Sequence, residues 1–367
     1  MTRFAPLPAS LPTTVPFIGA ETLERRRGTP FAARLGANES AFGPSPLAAR
    51  AMREAVGQIW KYGDGPSHDL THALAAHLSV EPRHIMVGEG IDGLLGNLVR
   101  LMVAPGDAVV TSEGAYPTFN YHVAGFGGVL HKVPYRDDAE DLQALLDCAR
   151  QVGARLVYLS NPDNPMGSWH KGTAIRAMLD DLPQDCLLVL DEAYAEFAPQ
   201  DALPDISADD PRVIRMRTFS KAYGLAGARI GYAIGAPDLI AGFDRIRNHF
   251  GVNRIAQAGA LAALADQGWL AHVVAEVHAA RDRIAEIGAA NGLTPLPSAA
   301  NFVALDTGCD GAHARALVAA LEAEGVFVRM PGVAPLDRCI RISCGPVTQM
   351  ETLAEALPRA LARLNPA

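Results

Sequence analysis

Lysine is scarce in this 367-residue chain. Of 32 basic residues only four are lysines, at positions 61, 132, 171 and 221; the rest are arginines. Arginine keeps its proton near neutral pH, whereas a buried lysine can give it up. Each retained lysine is therefore a candidate for amine chemistry, although a solvated surface suffices to explain Lys132 and Lys171. Cysteine is also sparse: five, at 148, 186, 309, 339 and 344, with no C-x-x-C pair. An odd, scattered set argues against a disulfide framework or a zinc cage and fits a reducing, cytoplasmic setting. The eleven histidines form no H-E-x-x-H pattern. No run approaches the ~20 apolar residues of a membrane helix, and Met1 to Ser10 carry prolines where a secretory signal has an apolar core. Excess positive charge is missing too. A net charge of -8 disfavours a nucleic-acid or anionic-membrane partner.

What is present is a soluble globular pattern, 49% hydrophobic and 20% charged. The length suits a large domain plus a smaller one. Residues 1–36 read as an arm, because Pro6, Pro8, Pro12 and Pro16 prevent a long helix; it is expected to pack with the small domain or a partner subunit. Helices are expected at Pro46–Val56 and Ser67–Leu78. Short apolar runs follow, at His84–Val87, Ala108–Thr111, Val129–Val133, Leu156–Leu159, Leu187–Leu190, Val213–Arg217 and Ile230–Ile234. Helical stretches separate many of them, including Leu94–Val103, Leu142–Val152 and Thr173–Leu182. Strands alternating with helices predict an α/β large domain over 37–252, with a mostly parallel sheet covered on both faces. From residue 253 the pattern changes to long alanine-rich helices, then strands Asn301–Leu305, Val326–Arg329 and Cys339–Ser343 and a final helix from Val347. That predicts a smaller α+β domain over 253–367.

Gly88-Glu89-Gly90-Ile91-Asp92-Gly93 fits G-x-G-x-x-G, after a strand and at a helix start, with Glu113 ending the next strand. Those are elements of a dinucleotide fingerprint, so a nicotinamide oxidoreductase is one reading. The motif's physical content is narrower: a phosphate can sit on the free N–H groups of a helix start. A plain strand-to-helix turn would look the same.

The chemistry concentrates further on. The strand Leu187–Leu190 runs into Asp191-Glu192-Ala193-Tyr194, and an acid at a strand's carboxyl end stands where open α/β sheets bind ligands. A lone aspartate there could equally cap a helix. Thirty residues on, Thr218-Phe219-Ser220-Lys221 again follows a strand, with Arg229 beyond a glycine-bearing stretch. Together these meet the needs of pyridoxal phosphate. Its aldehyde needs an amine that can lose its proton, which Lys221 supplies as a Schiff base. Its ring nitrogen needs a buried carboxylate, Asp191. Its phosphate needs hydroxyls, backbone N–H groups and a cation, which Thr218, Ser220, the Gly90-Ile91-Asp92 helix start and Arg229 offer.

Asn161-Pro162-Asp163-Asn164-Pro165-Met166-Gly167, Asp191-Glu192-Ala193-Tyr194 and Ser220-Lys221-Ala222 with Arg229 resemble the signature of fold-type I pyridoxal-phosphate aminotransferases. With Leu35-Gly36-Ala37-Asn38-Glu39 and Cys339-Ile340-Arg341-Ile342-Ser343, their order is similar to the histidinol-phosphate aminotransferase branch. The resemblance runs from about residue 16 to the C-terminus. It implies that Tyr116 stacks on the pyridine ring and that Asn164 and Tyr194 hydrogen-bond the phenolic oxygen. It further implies a homodimer in which Tyr62 reaches the cofactor phosphate of the partner's site. Arg341 would clamp the substrate α-carboxylate with Asn38 nearby, and Arg329 would bind the substrate phosphate. The implied reaction passes an amino group from histidinol phosphate to 2-oxoglutarate. An aromatic amino-acid aminotransferase or a phosphothreonine decarboxylase of the same fold are the alternatives. Three departures stand out: Met166 replaces a threonine, Gly63 follows Tyr62 where proline is usual, and Phe17 replaces an arm tyrosine.

Overall fold

Runs of valine, isoleucine and leucine four to six residues long can bury both faces only inside a sheet covered by helices. The computed structural model, which describes residues 3–13 and 18–364, shows them doing so. The strands in chain order are β1 (Ala33–Arg34), β2 (Ile85–Gly88), β3 (Ala108–Ser112), β4 (Val129–Val133), β5 (Leu156–Ser160) and β6 (Leu187–Asp191). They continue as β7 (Val213–Thr218), β8 (Gly231–Gly235), β9 (Thr294–Pro295), β10 (Phe302–Asp306), β11 (Val326–Phe327) and β12 (Cys339–Ser343). The central sheet has the order β2-β8-β7-β6-β5-β3-β4. Its pairs are parallel except where β8 runs antiparallel to β7 and β2. Helices Gly90–Met102 and Pro117–Gly125 pack on one face through Leu94, Leu98, Phe119 and Val123. Helices Leu142–Val152 and Gly172–Asp180 cover the other through Leu145, Ile175 and Leu179.

The nicotinamide reading fails on this topology. β2 lies at the sheet edge and pairs antiparallel with β8, and β3 stands five places away across the sheet. β2 and β3 are therefore not neighbouring parallel strands, as the two halves of a dinucleotide-binding βαβ unit would be. The turn nevertheless opens a helix that begins at Gly90, four residues before the expected Leu94. Gly90 has φ +79°, which a side chain would strain.

The second sheet is antiparallel, β12-β10-β9, and is packed by helices Gln267–Ala290, Gly311–Ala323 and Val347–Leu364. β1 pairs in parallel with β11, so the end of the arm is a strand of the small domain. The arm also carries the helices Pro6–Ser10 and Ala20–Arg27, which its prolines concealed in the sequence. The expected strand Val326–Arg329 stops at Phe327; Arg329 instead makes a single antiparallel bridge to Arg341. Helix Arg254–Ala265 shares one apolar cluster with helices Pro46–Val56 and His68–Leu78 and with β2 and β8. We propose that the small domain starts after it, at Gln267, rather than at 253. Among the described residues no helix is long and apolar enough to cross a membrane.

Candidate active site

β5, β6 and β7 lie side by side, and their carboxyl ends deliver Ser160, Asp191 and Thr218 to one edge of the sheet. Asp191 is buried at the end of β6. Its Oδ2 accepts a hydrogen bond from the Tyr158 hydroxyl of β5 at 2.7 Å, and its Oδ1 accepts one from the Ala193 N–H at 2.9 Å. Burial outweighs these donors and lifts its pKa to about 6. Lys221 shows the converse: burial first, then the Arg341 and Arg229 charges, lower its ammonium to about 8. Its Nζ donates to the Asn38 carbonyl at 3.0 Å and lies 5.7 Å from the centre of the Tyr194 ring.

Around them is a cavity of about 250 Å³. Ten of the expected residues line it: Ile91, Asp92 and Tyr116 from the segments after β2 and β3, Asn164, Asp191 and Tyr194 from β6 and the segments after β5 and β6, and Thr218, Ser220, Lys221 and Arg229 from β7 and the stretch after it. At one end the Ser220 N–H donates to Thr218 Oγ1 at 3.0 Å, and Arg229 Nη1 approaches Ser220 Oγ at 3.5 Å. Gly90 is not a lining residue but makes this corner possible. A Cβ there would come within 2.7 Å of Arg229 Nη2. The N-cap side chain of the helix, Glu89, makes no capping bond, so the first N–H groups face a cradle of hydroxyls and a guanidinium. Tyr116, at the start of helix Pro117–Gly125, has its phenol raised to about 12 by burial and stays neutral.

The small domain closes the other side. Arg341 Nη1 donates to Asn164 Oδ1 at 2.6 Å, which leaves the Asn164 NH2 as the donor toward the cavity. Its guanidinium lies 5.2 Å over the Phe302 ring, and burial with the neighbouring Arg329 charge lowers its pKa to about 10. Arg329 Nη2 donates to the Ile18 carbonyl of the arm at 3.0 Å. Asn38, buried with φ 54°, touches both Lys221 and Tyr194 without lining the cavity. Arg329, Arg341 and Tyr62 do not line this chain's own cavity either; Tyr62 is 78% exposed, its ring tilted and 5.0 Å from that of Phe250. Pro16 and Phe17 lie outside the described residues. Sequence reasoning missed Glu39 and Ser160, which line the cavity, and Tyr158 behind it. Glu39 closes one quoted motif and Ser160 adjoins another, so both were open to discovery; Tyr158 sits inside an apolar run with no local signal.

These residues fit pyridoxal phosphate on chemical grounds. A desolvated carboxylate suits a ring N–H cation, a lysine of depressed pKa suits an aldehyde, and the Arg229 corner suits a phosphate. The aminotransferase class I and II family model matches residues 33–357. The crystal structure of histidinol-phosphate aminotransferase from Sinorhizobium meliloti in complex with pyridoxal-5'-phosphate is 57% identical, with a TM-score of 0.97 over 99% of each chain. A histidinol-phosphate aminotransferase of Anaeromyxobacter sp. is 38% identical over 96% of this chain and 97% of its own length. An aromatic amino acid aminotransferase of Mycolicibacterium paratuberculosis is 34% identical over 95% and 99%. The chain belongs to the aminotransferase class I and II family and is a pyridoxal-phosphate-dependent aminotransferase.

Proposed function

We propose that the amino donor is a phosphorylated amine, histidinol phosphate, and that the acceptor is 2-oxoglutarate. One observation carries this reading. Arg329 and Arg341 are bridged backbone to backbone, and each has its guanidinium pKa lowered by burial. The Arg329 charge also depresses Arg341. Two desolvated cations repelling one another favour a dianion over a single carboxylate, and a phosphate ester carries about −1.5 to −2 charges. Glu39 tempers the Arg329 charge without neutralising both cations. In the second half-reaction Arg341 would take one carboxylate of 2-oxoglutarate.

When bound, pyridoxal phosphate supplies an aldehyde for the amine and an electron-accepting ring. The chain's residues do the rest. Lys221, its pKa lowered to about 8, yields its amine and then moves a proton to and from the substrate Cα. Asp191, held by Tyr158 and Ala193, keeps a proton at the ring nitrogen. Asn164 and Tyr194 would donate at the phenolic oxygen, Tyr116 would lie against the ring, and the Gly90 turn with Thr218, Ser220 and Arg229 would hold the phosphate.

Each site is completed by Tyr62 of a second copy. The support is an apolar strip, Ile59, Trp60, Tyr62 and Phe250, that stays exposed among the described residues. Five free cysteines, three of them buried, accord with the cytoplasm. The test of substrate is kcat/KM for histidinol phosphate, phosphothreonine, phenylalanine and histidine, in wild type and Arg329→Ala. Histidinol phosphate leads in the wild type, and the substitution raises its KM at least ~10-fold more than that of phenylalanine, as for loss of a charge-assisted pair. A wild type that prefers phenylalanine, or an equal effect on all four, identifies an aromatic aminotransferase instead. Carbon dioxide released from phosphothreonine identifies the decarboxylase.

A further inference from the structure

Behind Tyr194 lies a short chain of buried polar groups that the reaction as described does not use. Ser343 ends β12, two residues after Arg341, and is buried. Its Oγ accepts the backbone N–H of Asn38 at 2.9 Å, and the same Oγ lies 2.9 Å from Asn38 Oδ1. Asn38 Nδ2 in turn lies 3.2 Å from the Tyr194 hydroxyl oxygen. The Asn38 carbonyl is engaged as well, accepting from Asn301 Nδ2 at 3.1 Å and from Lys221 Nζ at 3.0 Å.

Counting protons sets the direction of every bond in this chain. A backbone N–H can only donate, so the Ser343 oxygen is its acceptor. The hydroxyl has one proton, and Asn38 Oδ1, 2.9 Å away, is placed to accept it. The amide NH2 then faces Tyr194, whose oxygen accepts. Burial keeps the Tyr194 phenol neutral, well above its usual pKa, so its single proton is left pointing toward the cavity. We propose that Ser343 is a positioning residue that, through the Asn38 amide, orients Tyr194 as a hydrogen-bond donor to the phenolic oxygen of the cofactor.

The consequence is a link between the two ends of the site. The strand that carries the anion-binding Arg341 also dictates which way the Tyr194 proton points. Without the serine hydroxyl the amide can turn over and offer its oxygen to Tyr194. The tyrosine proton is then drawn away from the cofactor, and the cofactor's anionic phenolic oxygen loses stabilisation. A group that loses a donor to its charged form has its pKa raised.

The proposal rests on the pyridoxal-phosphate reading, and the test separates the two. Titrate the visible absorption of the cofactor-loaded protein from pH 5 to 9, without substrate, in wild type, Ser343→Ala, Ser343→Thr and Asn38→Asp. Absence of a visible band in the wild type overturns the cofactor reading itself. With a band present, Ser343→Ala moves its midpoint up by about half a unit to one unit, the equivalent of one neutral hydrogen bond. Ser343→Thr, which restores the hydroxyl, returns the midpoint to that of the wild type. Asn38→Asp, whose carboxylate can only accept, moves it at least as far as Ser343→Ala and gives a reading if that variant fails to load. A purely structural role for Ser343 would alter loading or melting temperature and leave the midpoint in place. An unmoved midpoint in both Ser343→Ala and Asn38→Asp overturns the proposal.

Discussion

The floor and the roof of the active site are built differently. The floor is assembled from consecutive ends of parallel strands, β5, β6 and β7, whose spacing the sheet's hydrogen bonds dictate. Asp191 cannot move without breaking its bonds to Tyr158 and Ala193. The roof gathers three distant segments: Asn38 after the arm, Asn164 from the loop after β5, and Arg329 with Arg341 from the small domain. Those groups touch one another through side chains and single bridges. A rigid floor suits a cofactor that stays, and a roof of separable pieces suits two substrates of different shape that must alternate. Floor substitutions should therefore damage the chemistry for every substrate, whereas roof substitutions should sort between substrates.

The largest effect belongs to Lys221→Ala. Removing the amine that forms the covalent link and shuttles the proton should cost about 10²–10⁴-fold in turnover for any substrate. Borohydride reduction of the wild-type holoenzyme, followed by peptide mapping, checks the assignment directly; a label on Lys61, Lys132 or Lys171 overturns it. Next comes Asp191→Asn, expected to slow single-turnover proton abstraction ~10²-fold by removing charge opposite the ring nitrogen. Near-normal abstraction would refute the role.

Asp191 also makes a prediction for the cofactor-free protein. Its folded pKa, about 6, is above the ordinary aspartate value of ~3.9. A raised folded pKa gives stability that is present at low pH and lost as pH rises through the folded value. Between pH 4 and 7 the melting temperature of Asp191→Asn should therefore gain on that of the wild type. A constant difference would mean that the carboxylate is better solvated than the structure shows.

Tyr158→Phe should act more gently than Asp191→Asn and still on the floor. Loss of its hydrogen bond removes a donor that favours the ionised carboxylate, so Asp191 should titrate higher and the acid limb of kcat should move up in pH. KM values for the two substrates should be nearly unchanged; a shift in KM for one substrate alone would place Tyr158 with the roof. A small single effect is expected for Tyr62→Phe, one hydrogen bond to a charged phosphate worth about 1.5–3 kcal/mol. Its value lies in mixing: a Lys221→Ala and Tyr62→Phe heterodimer holds one intact site and should recover about half the wild-type activity if Tyr62 crosses between subunits. An active monomer in sedimentation would end that reading.

The floor was also the more legible region. Strand positions were readable within a residue or so because buried parallel strands demand continuous apolar runs, and Leu187–Leu190 or Val129–Val133 can be little else. Asp191 and Lys221 stood out as polar groups immediately after such runs. Tyr158 did not, because a tyrosine in an apolar run reads as core until its neighbour across the sheet is known. The roof was harder. Arg341 lies on the short strand β12 and Arg329 just beyond β11, places where an exposed arginine is ordinary, and only family resemblance set them apart.

The sequence by itself determined the layers, the cofactor chemistry and most of the residues around the cavity, because periodicity, strand-end acids and a scarce lysine are local signals. Tertiary structure decided what depends on non-local pairing. It put β2 at the sheet edge antiparallel to β8, which turned an apparent dinucleotide turn into a helix start packed against Arg229. It brought Asn38 against Ser343, 305 residues away, and so fixed which way an amide faces. Local sequence carries the propensity of a residue to be buried or exposed; the direction of a hydrogen bond depends on its partner, and the partner is chosen by the fold.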